Sequence, residues 1–430
     1  MTNNQASRRS FIGGIGVAAG FGSPSFFEGH TETGTDTGTG QMTESNIPVP
    51  GASYHVFRSD GQYHVMNNSS DGIEFSSGAD DNAEEAFQYA FDETPDNGGT
   101  VIAETHEFQF GGPASMEDNT VLTGSTGSKL VASPTGSRVG FTERELDVGH
   151  DLIQIRGDNT AVTNIEFDAG GTRLDNHAIQ AENCDGLVIA NNKTINGFQM
   201  AVSFAECQNV VVRDNQVIDP NWYGITSRGA RDGLDLRQSR DVLIQGNRVT
   251  DVTFNNIAPY NVTNFSILGN VCYRGGHSLI ACSPSQQGAI VGNICRDLEL
   301  EPIAADPGGE AGLEIEYKET HLLENVRNTA DETSFDITVA NNHVENCGVG
   351  FIARTVPISE EDENGFRQTK RPYSFTVTGN AINDCDTGIL VRSGADGVIA
   401  TNTLRNNDTQ IDIKDTPFTQ NIQQDLNVTR

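Results

Sequence analysis

Basic residues, and lysine above all, are scarce in this chain of 430 residues. Lysine and arginine together number 27 against 59 aspartates and glutamates, which gives a formal net charge of −32. Nucleic-acid binding needs a basic surface, so this balance argues against it and leaves room for an anionic ligand only at a local basic patch. The sequence also lacks any run of apolar residues long enough to span a bilayer, so we expect no transmembrane helix.

Several familiar catalytic signatures are missing as well. The chain has no zinc-type spacing of cysteine and histidine, no phosphate-binding loop, no dinucleotide fingerprint and no G-x-S-x-G motif. The acidic, lysine-poor composition resembles that of proteins from salt-loving organisms of the haloarchaeal type. In molar salt the Debye length is about 3 Å, so such a surface hardly repels itself.

The N-terminus has the pattern of an export signal. Arg8 and Arg9 lie in a Ser-Arg-Arg-Ser-Phe-Ile segment, which a mildly apolar stretch follows from Phe11 to Phe21. This pattern resembles a twin-arginine signal, a receptor-read address for folded proteins. We therefore predict a signal peptide over 1–30, a Thr/Gly-rich linker over 31–50 and one domain over 51–430, in a secreted or cell-surface protein.

An internal repeat determines the expected fold. An asparagine followed by a short apolar strand recurs with a base period of 22 or 23 residues, lengthened by insertions at three places, at Asn192, Asn215, Asn247, Asn270, Asn293, Asn342, Asn380 and Asn402. One unit cannot bury its apolar face, whereas stacked units can, with strands about 4.8 Å apart. The repeat predicts an all-β, right-handed parallel β-helix with an inward asparagine ladder. The alternatives, a β-sandwich or a propeller, have repeats of other lengths.

A helix is expected at the N-terminal end of the solenoid, over about 80–93. Asp80 or Asp81 can cap it, and one face carries Ala83, Ala86, Phe87, Ala90 and Phe91. The coils then begin near residue 98, at Gly-Gly-Thr-Val, and continue to about 420. The helix, this entry and the asparagine repeat resemble the pectate-lyase superfamily over roughly residues 78 to 420. The resemblance implies the fold and only weakly an activity.

Six of the seven cysteines fall in the same register of the repeat. The expected stacked pairs are Cys184 with Cys207, Cys272 with Cys295, and Cys347 with Cys385. Their Cα atoms should lie near 4.8 Å apart, which is within disulfide range. We expect buried free thiols, with disulfides as the alternative.

Four insertions lengthen the repeat and border one strand column. They are predicted at Pro220–Asp232, Leu298–Ala311, Glu319–Ser334 and Pro357–Pro372. Loops on a rigid scaffold often carry binding and catalytic residues. Period-2 alternation in this column predicts that Glu314, Glu316 and Lys318 point outward, with Arg354 on the next coil. Other outward side chains are expected at Asp235, Arg237 and Arg392.

This set of side chains suits β-elimination from a uronic-acid polysaccharide. Neutralising the sugar carboxylate makes its C5 proton more acidic, and a partly desolvated Lys318 can then remove that proton. Lys318 and Arg354 should have Cα atoms about 8 Å apart. Two carboxylates on one strand, Glu314 and Glu316, are suitable ligands for Ca²⁺. The alternative is that these acids are ordinary solvated residues and that Lys318 is their surface ion-pair partner.

Here the sequence resembles the family of alginate lyases and chondroitinase B. That family carries metal-binding acids and a lysine base on one coil and a catalytic arginine on the next. The resemblance implies Glu314 and Glu316 as calcium ligands, Lys318 as the base and Arg354 as the catalytic arginine.

A second constellation resembles motifs of the polygalacturonases. It consists of the segment Arg231–Asp235 and of Gly275-Gly276-His277. The aspartate pair expected between them is absent, and Phe-Asn-Asn stands at residues 254–256. Glu314 and Glu316, near 6.8 Å apart along one strand, could replace that pair. His277 is a candidate substrate-binding residue or a structural loop histidine. Trp222 and Tyr223 are candidate sugar-stacking rings or loop anchors.

Three functions remain open on the sequence alone. The first is a lyase acting on an acidic polysaccharide, the second a glycoside hydrolase or epimerase using the same groove, and the third a non-catalytic carbohydrate-binding or structural protein of the cell surface. An unsaturated product would indicate the lyase, and reducing ends without unsaturation would indicate hydrolysis. Binding without turnover would indicate the non-catalytic protein.

Overall fold

The computed structural model describes residues 52–70, 72–78, 82–133, 136–139, 145–148, 150–227, 238–298, 311–318, 333–356, 370–415 and 419–429. The predicted signal peptide and linker lie outside these residues. Within the described part, no helix is both long enough and apolar enough to cross a membrane.

Short strands and one helix make up the regular structure of the described residues. In chain order they are β1 (Ala52–Ser59), β2 (Gln62–Asn67), β3 (Gly72–Ser76), α1 (Glu84–Asp92), β4 (Gly99–Ala103), β5 (Glu107–Phe110), β6 (Ala114–Met116), β7 (Thr120–Gly124), β8 (Lys129–Ala132), β9 (Gly136–Val139), β10 (Glu145–Val148), β11 (Ile153–Ile155), β12 (Thr160–Thr163), β13 (Glu166–Asp168), β14 (His177–Glu182), β15 (Asp185–Ala190), β16 (Lys193–Ile195), β17 (Met200–Ala205), β18 (Gln208–Arg213), β19 (Gln216–Ile218), β20 (Tyr223–Thr226), β21 (Ser239–Gln245), β22 (Arg248–Val252), β23 (Ile257–Ala258), β24 (Val262–Leu268), β25 (Val271–Gly275), β26 (Ile280–Cys282), β27 (Gln286–Val291), β28 (Ile294–Arg296), β29 (Ala311–Lys318), β30 (Phe335–Ala340), β31 (His343–Glu345), β32 (Val349–Val356), β33 (Tyr373–Thr378), β34 (Ala381–Asn383), β35 (Thr387–Val391), β36 (Gly394–Ala395), β37 (Val398–Ala400), β38 (Thr403–Arg405), β39 (Thr409–Ile413), β40 (Thr419–Gln420), β41 (Gln423–Asp425) and β42 (Val428–Thr429).

The strands wind into three parallel sheets, and each coil adds one rung to every sheet. Sheet A runs from β4 through β7, β12, β15, β18, β21, β24, β27, β30 and β33 to the short strands at its end. Sheet B runs from β5 to β42, and sheet C from β6 to β39. The fold is a right-handed parallel β-helix, as the repeat predicts.

The N-terminal end is more elaborate than the sequence suggests. Strands β1, β2 and β3 form an antiparallel meander, and β1 continues sheet A by pairing parallel with β4. Helix α1 buries the predicted apolar face, Ala86, Phe87, Ala90 and Phe91. The helix begins after Ala83, whose methyl side chain cannot cap it, and the backbone N–H of Ala83 donates to the carbonyl of Gln109 in β5. Asp80 and Asp81 lie outside the described residues, so capping by either of them stays a prediction.

The predicted asparagine ladder turns the chain from sheet A to sheet B. In each step the Nδ2 group donates to the Oδ1 atom of the asparagine one coil further on, at 2.9–3.2 Å. The same Oδ1 atoms also accept the backbone N–H of the asparagine before them. Asn427 extends the ladder beyond Asn402. This chain of hydrogen bonds gives partners to the buried polar groups at the corner of each coil in the ladder.

Apolar residues of all three sheets fill the interior, and the stacked cysteines lie among them. All seven cysteines are buried and free, as expected. Cys184 and Cys207 lie side by side, and Cys272 is the register partner of Cys295.

The insertions border sheet C, but one of them starts later than predicted. The rung expected to begin at Gly233 is occupied by β20, which pairs with β17 on one side and β23 on the other. This insertion therefore follows the sheet C strand instead of preceding it. Residues 228–237, 299–310, 319–332 and 357–369, which hold most of the four insertions, lie outside the described residues.

Candidate functional site

The outer face of sheet C carries the residues on which the sequence prediction depends. In β29 the apolar Leu313 and Ile315 belong to the core, as the alternation predicts. Glu314 and Glu316 point to the opposite side of the sheet. The structure adds an unexpected feature: these acids are 0% and 2% exposed, so they are buried acids and not solvated ones.

An arginine on the next coil pairs with both acids. Arg354 in β32 is the register partner of Glu316, and its guanidinium is only 2% exposed. Its Nε atom donates to Oε1 of Glu314, and its second terminal nitrogen lies 3.5 Å from Oε2 of Glu316. Three buried charged groups thus form one cluster, Glu314–Arg354–Glu316, which we call the Glu–Arg–Glu cluster.

The preceding coils contribute polar groups to the same place. The Ser278 hydroxyl donates to Oε2 of Glu314 at 2.6 Å. Next to it, Nδ1 of His277 lies 3.1 Å from Oδ1 of Asn255, which also accepts the backbone N–H of Ser278 at 2.9 Å. The amide of Asn255 then donates to the Tyr260 hydroxyl at 2.7 Å. Because Asn255 donates through Nδ2, its Oδ1 accepts from His277, and the ring carries its proton on Nδ1.

Stacked rings lie beside these polar groups. Trp222 stacks on Phe254, with ring centroids 4.5 Å apart and planes 6° from parallel, and Phe254 lies 4.2 Å from the imidazole of His277. Tyr223 packs edge-on against Phe254. Trp222 and Tyr223 are only 7% and 1% exposed and pack in one buried cluster with Phe254 and Tyr260. Their burial favours the second of the two predicted roles, that of anchors on the solenoid.

Burial and mutual charge shift the acidity of the site. Burial raises the pKa of Glu314 above its ordinary value, and Glu316 raises it further, while Arg354 opposes both effects. Burial also raises the pKa of the Tyr260 hydroxyl well above its usual range, with contributions from Tyr223, Glu316 and Glu314. Burial and the neighbouring carboxylate thus favour the protonated form of Glu314.

The predicted base lies at the edge of the cluster. Lys318 is the last residue of β29 and is half-buried. It pairs in register with Val356, two residues after the pair formed by Glu316 and Arg354. Lys318 and Arg354 are thus offset by one coil and two residues, and their joint role stays a prediction. Arg392 follows β35 one coil further on and is exposed. Asp235 and Arg237 lie outside the described residues, so their assignment stays a prediction.

The geometry does not fit calcium at the two glutamates. Arg354 already occupies the space between their carboxylates, and Ser278 takes a further oxygen of Glu314. Across the described residues no group of three or more Asp, Glu, His or Cys side chains could hold a metal ion. Calcium binding stays a prediction of the sequence.

Sequence reasoning missed several members of the site. Phe254, Asn255 and Asn256 drew attention only as the place where an aspartate pair is absent. Their register with Gly275-Gly276-His277, one repeat later, was the available signal. Ser278 was marked only by the repeat, as the start of a strand, and no motif marked Tyr260.

Comparisons with known proteins support the fold. No protein-family model matches the chain, and no curated protein is similar to it in sequence. The surface adhesin PfbA of Streptococcus pneumoniae is similar in structure, with a TM-score of 0.59 and 14% identity over 82% of this chain and 90% of that one. An exopolygalacturonase from Thermotoga maritima gives a TM-score of 0.54 and 12% identity, over 81% and 88%. The polygalacturonase of Erwinia carotovora gives 0.53 and 11%, over 81% and 95%.

These likenesses agree with the fold described above. The chain is a right-handed parallel β-helix, as the similar polygalacturonases and the adhesin are. At such low identity the likeness concerns the fold alone, and the fold hosts both enzymes and an adhesin.

Proposed function

We propose that this chain is an exported enzyme that cleaves an acidic polysaccharide at the Glu–Arg–Glu cluster. The supporting observation is the complete burial of Glu314, Glu316 and Arg354 on the outer side of sheet C. The core of the β-helix lies on the other side of the sheet and does not include them.

Burial of these charges is costly for folding. Replacing a buried ion pair with apolar residues is often neutral or stabilising, so the cluster is not explained by stability. Perturbed acids grouped with histidine, tyrosine and arginine are characteristic of catalytic sites. The predicted export signal agrees with a polysaccharide substrate outside the cell.

The reaction that we propose is β-elimination. Lys318 removes the C5 proton of a uronic acid unit, the electron pair forms the C4–C5 double bond, and the C4–O4 bond breaks. The leaving oxygen takes a proton from an acid, a role for which Glu314 is suited because its pKa is raised. Arg354 and the exposed Arg392 stabilise the negative charge that develops on the sugar carboxylate.

Hydrolysis is the second candidate, and the same raised pKa favours it. A protonated Glu314 could act as general acid, with Glu316 as the partner carboxylate two residues along the strand. In this case water is consumed and no double bond forms.

Turnover of a polymer panel tests the proposal. We expect the protein, in high salt, to release products from pectate, alginate, chondroitin or a heparin-type polymer, with and without a chelator. Elimination produces an unsaturated uronic product that absorbs in the ultraviolet, whereas hydrolysis produces reducing ends alone. Binding of a polymer without any product would instead indicate a carbohydrate-binding protein.

The Lys318→Ala substitution tests the proposed base. We expect it to lower kcat by at least about a hundredfold, the usual contribution of a positioned base, with little effect on folding because the side chain is half-buried. Lys193→Ala, on the outer face of sheet B, is the matched control and should retain full activity. Unchanged turnover in the Lys318 variant would show that Lys318 is not the base. Hydrolysis at the same site would then stay as the alternative reaction.

A further inference from the structure

The outer face of sheet A is almost free of charge from β15 to β37. Its outward residues form two columns of register partners, which alternate with core residues such as Ile189 and Ile267. The first column consists of Val188, Val211, Leu243, Ser266, Ala289, Thr338, Thr376 and Val398, and the second of Ala190, Arg213, Gln245, Leu268, Val291, Ala340, Thr378 and Ala400. All of them except Ala190 and Ala340 are half-buried or exposed. Arg213 alone among them is charged, and it pairs with Asp214.

This lack of charge is specific to sheet A. The chain as a whole has a net charge of −32. Over the same coils the outer face of sheet B carries Lys193, Arg248, Arg296 and Glu345. An exposed, continuous and largely apolar face on an otherwise highly charged protein is characteristic of an interaction surface.

The size of the face suits a reversible protein–protein contact. Eight strands about 4.8 Å apart, with four residues of about 3.3 Å each, give roughly 38 Å by 13 Å, or about 500 Å². Two such faces together bury about 1,000 Å², the lower end of the range for specific interfaces. The stacked, half-buried rings of Phe335 and Tyr373 lie at the edge of this face, where β30 and β33 begin.

A second copy of the chain matches this face in shape and in polarity. The face offers few hydrogen-bonding groups to an acidic polysaccharide, whereas another flat, uncharged sheet can pack on it at about 10 Å. Repulsion between two acidic copies opposes the contact in dilute buffer. Molar salt shortens the Debye length to about 3 Å and removes most of that repulsion.

We propose that the chain forms a two-fold dimer through the outer faces of sheet A, with the two solenoid axes antiparallel. A two-fold axis that runs along the strands, between β24 and β27, places Arg213 of one copy opposite Thr378 of the other, whose hydroxyl can accept a hydrogen bond. With parallel solenoids the two Arg213 side chains would lie on the same rung, which their like charge disfavours. Sheet C takes no part in this contact, so the dimer does not rest on the proposed function.

Sedimentation velocity in molar sodium chloride, from low to high micromolar protein, tests the dimer. Leu268 lies next to the two-fold axis and faces Val291 of the other copy. Leu268→Glu therefore places an unpaired carboxylate in each half of the contact, and we expect it to raise the Kd of the dimer at least about a hundredfold. Val271→Glu, on the outer face of sheet B in the strand that follows, is the matched control and should leave the Kd unchanged.

Cross-linking tests the orientation. Val188 and Val398 stand at opposite ends of the first column. The antiparallel arrangement brings Val188 of one copy to about 10 Å from Val398 of the other, while the two copies of either residue are about 35 Å apart. A short bismaleimide should therefore link a mixture of Val188→Cys and Val398→Cys proteins and link neither variant alone. The native cysteines are buried in the described structure, so they should not react.

Each result supports or overturns the dimer. A wild type that sediments as a monomer throughout, or a dimer that Leu268→Glu leaves intact, would overturn it. A monomeric wild type whose melting temperature falls in Leu268→Glu would mean that another segment of the same chain covers the face, which also overturns the proposal. If Leu268→Glu does not fold, the cross-linking pattern decides. A dimer without any turnover would leave this inference standing and reject the enzyme.

Discussion

Arg354→Met should destabilise the protein by about 3–5 kcal/mol at neutral pH and abolish turnover. The substitution leaves two buried carboxylates, those of Glu314 and Glu316, facing each other without a cation, and breaking a buried ion pair from one side costs this much. Urea unfolding followed by circular dichroism measures the change. Arg392→Met, an exposed arginine one coil further on, should stay within about 0.5 kcal/mol of wild type.

The same variant should lose less stability in acid. The folded-state pKa of Glu314 is already raised, so the folded protein binds more protons than the unfolded chain above the ordinary glutamate pKa of about 4.3. Stability therefore falls as the pH rises through that region, and removing Arg354 steepens the fall. Adding Glu314→Gln and Glu316→Gln to Arg354→Met should restore most of the lost free energy of unfolding. A variant whose stability is independent of pH would show that the carboxylates are not buried together.

Asn270→Ala, in the middle of the ladder, should cost about 4 kcal/mol. Asn270 is fully buried and its side chain makes four hydrogen bonds: from Nδ2 to Asn293 and to the carbonyl of Ile244, and at Oδ1 from the backbone and side chain of Asn247. Alanine leaves these partners buried and unsatisfied, at about 1–3 kcal/mol each, partly relieved by local relaxation.

Thermal unfolding tests the ladder, with Gln245→Ala as the control because that side chain is exposed at the end of β21. Unfolding of a solenoid need not be two-state. We therefore expect hydrogen exchange to increase first in the coils that flank Asn270. A variant with wild-type melting and exchange would mean that the ladder contributes little to stability.

Most of the fold followed from the spacing of asparagines. A period of 22 or 23 residues sets one coil, and a constant register follows because each asparagine must meet the next. For this reason the outward direction of Glu314 and Glu316, and the position of Arg354 one coil later, could be predicted without coordinates. The rung at Gly233 was misplaced because an insertion shifted the sheet C strand to Tyr223–Thr226.

The character of the site was less predictable. The alternation of apolar and polar residues indicates the side of a sheet on which a residue lies, but not whether that side is exposed to solvent. The burial of Glu314 and Glu316, and their pairing with Arg354, depend on what packs against the outer face. Tyr260 lies outside the named strands, in an isolated bridge with Ser283, so strand alternation does not place its side chain.

The sequence by itself determined the coil length, the ladder, the stacked thiols and the column of strands that carries the acids, because each of these repeats along the chain at a fixed interval. Only the tertiary structure decided which charges are buried and which aromatic rings stack. Those contacts join residues of neighbouring coils and depend on side-chain shape and on the exclusion of solvent. The spacing of residues within a single strand predicts neither property.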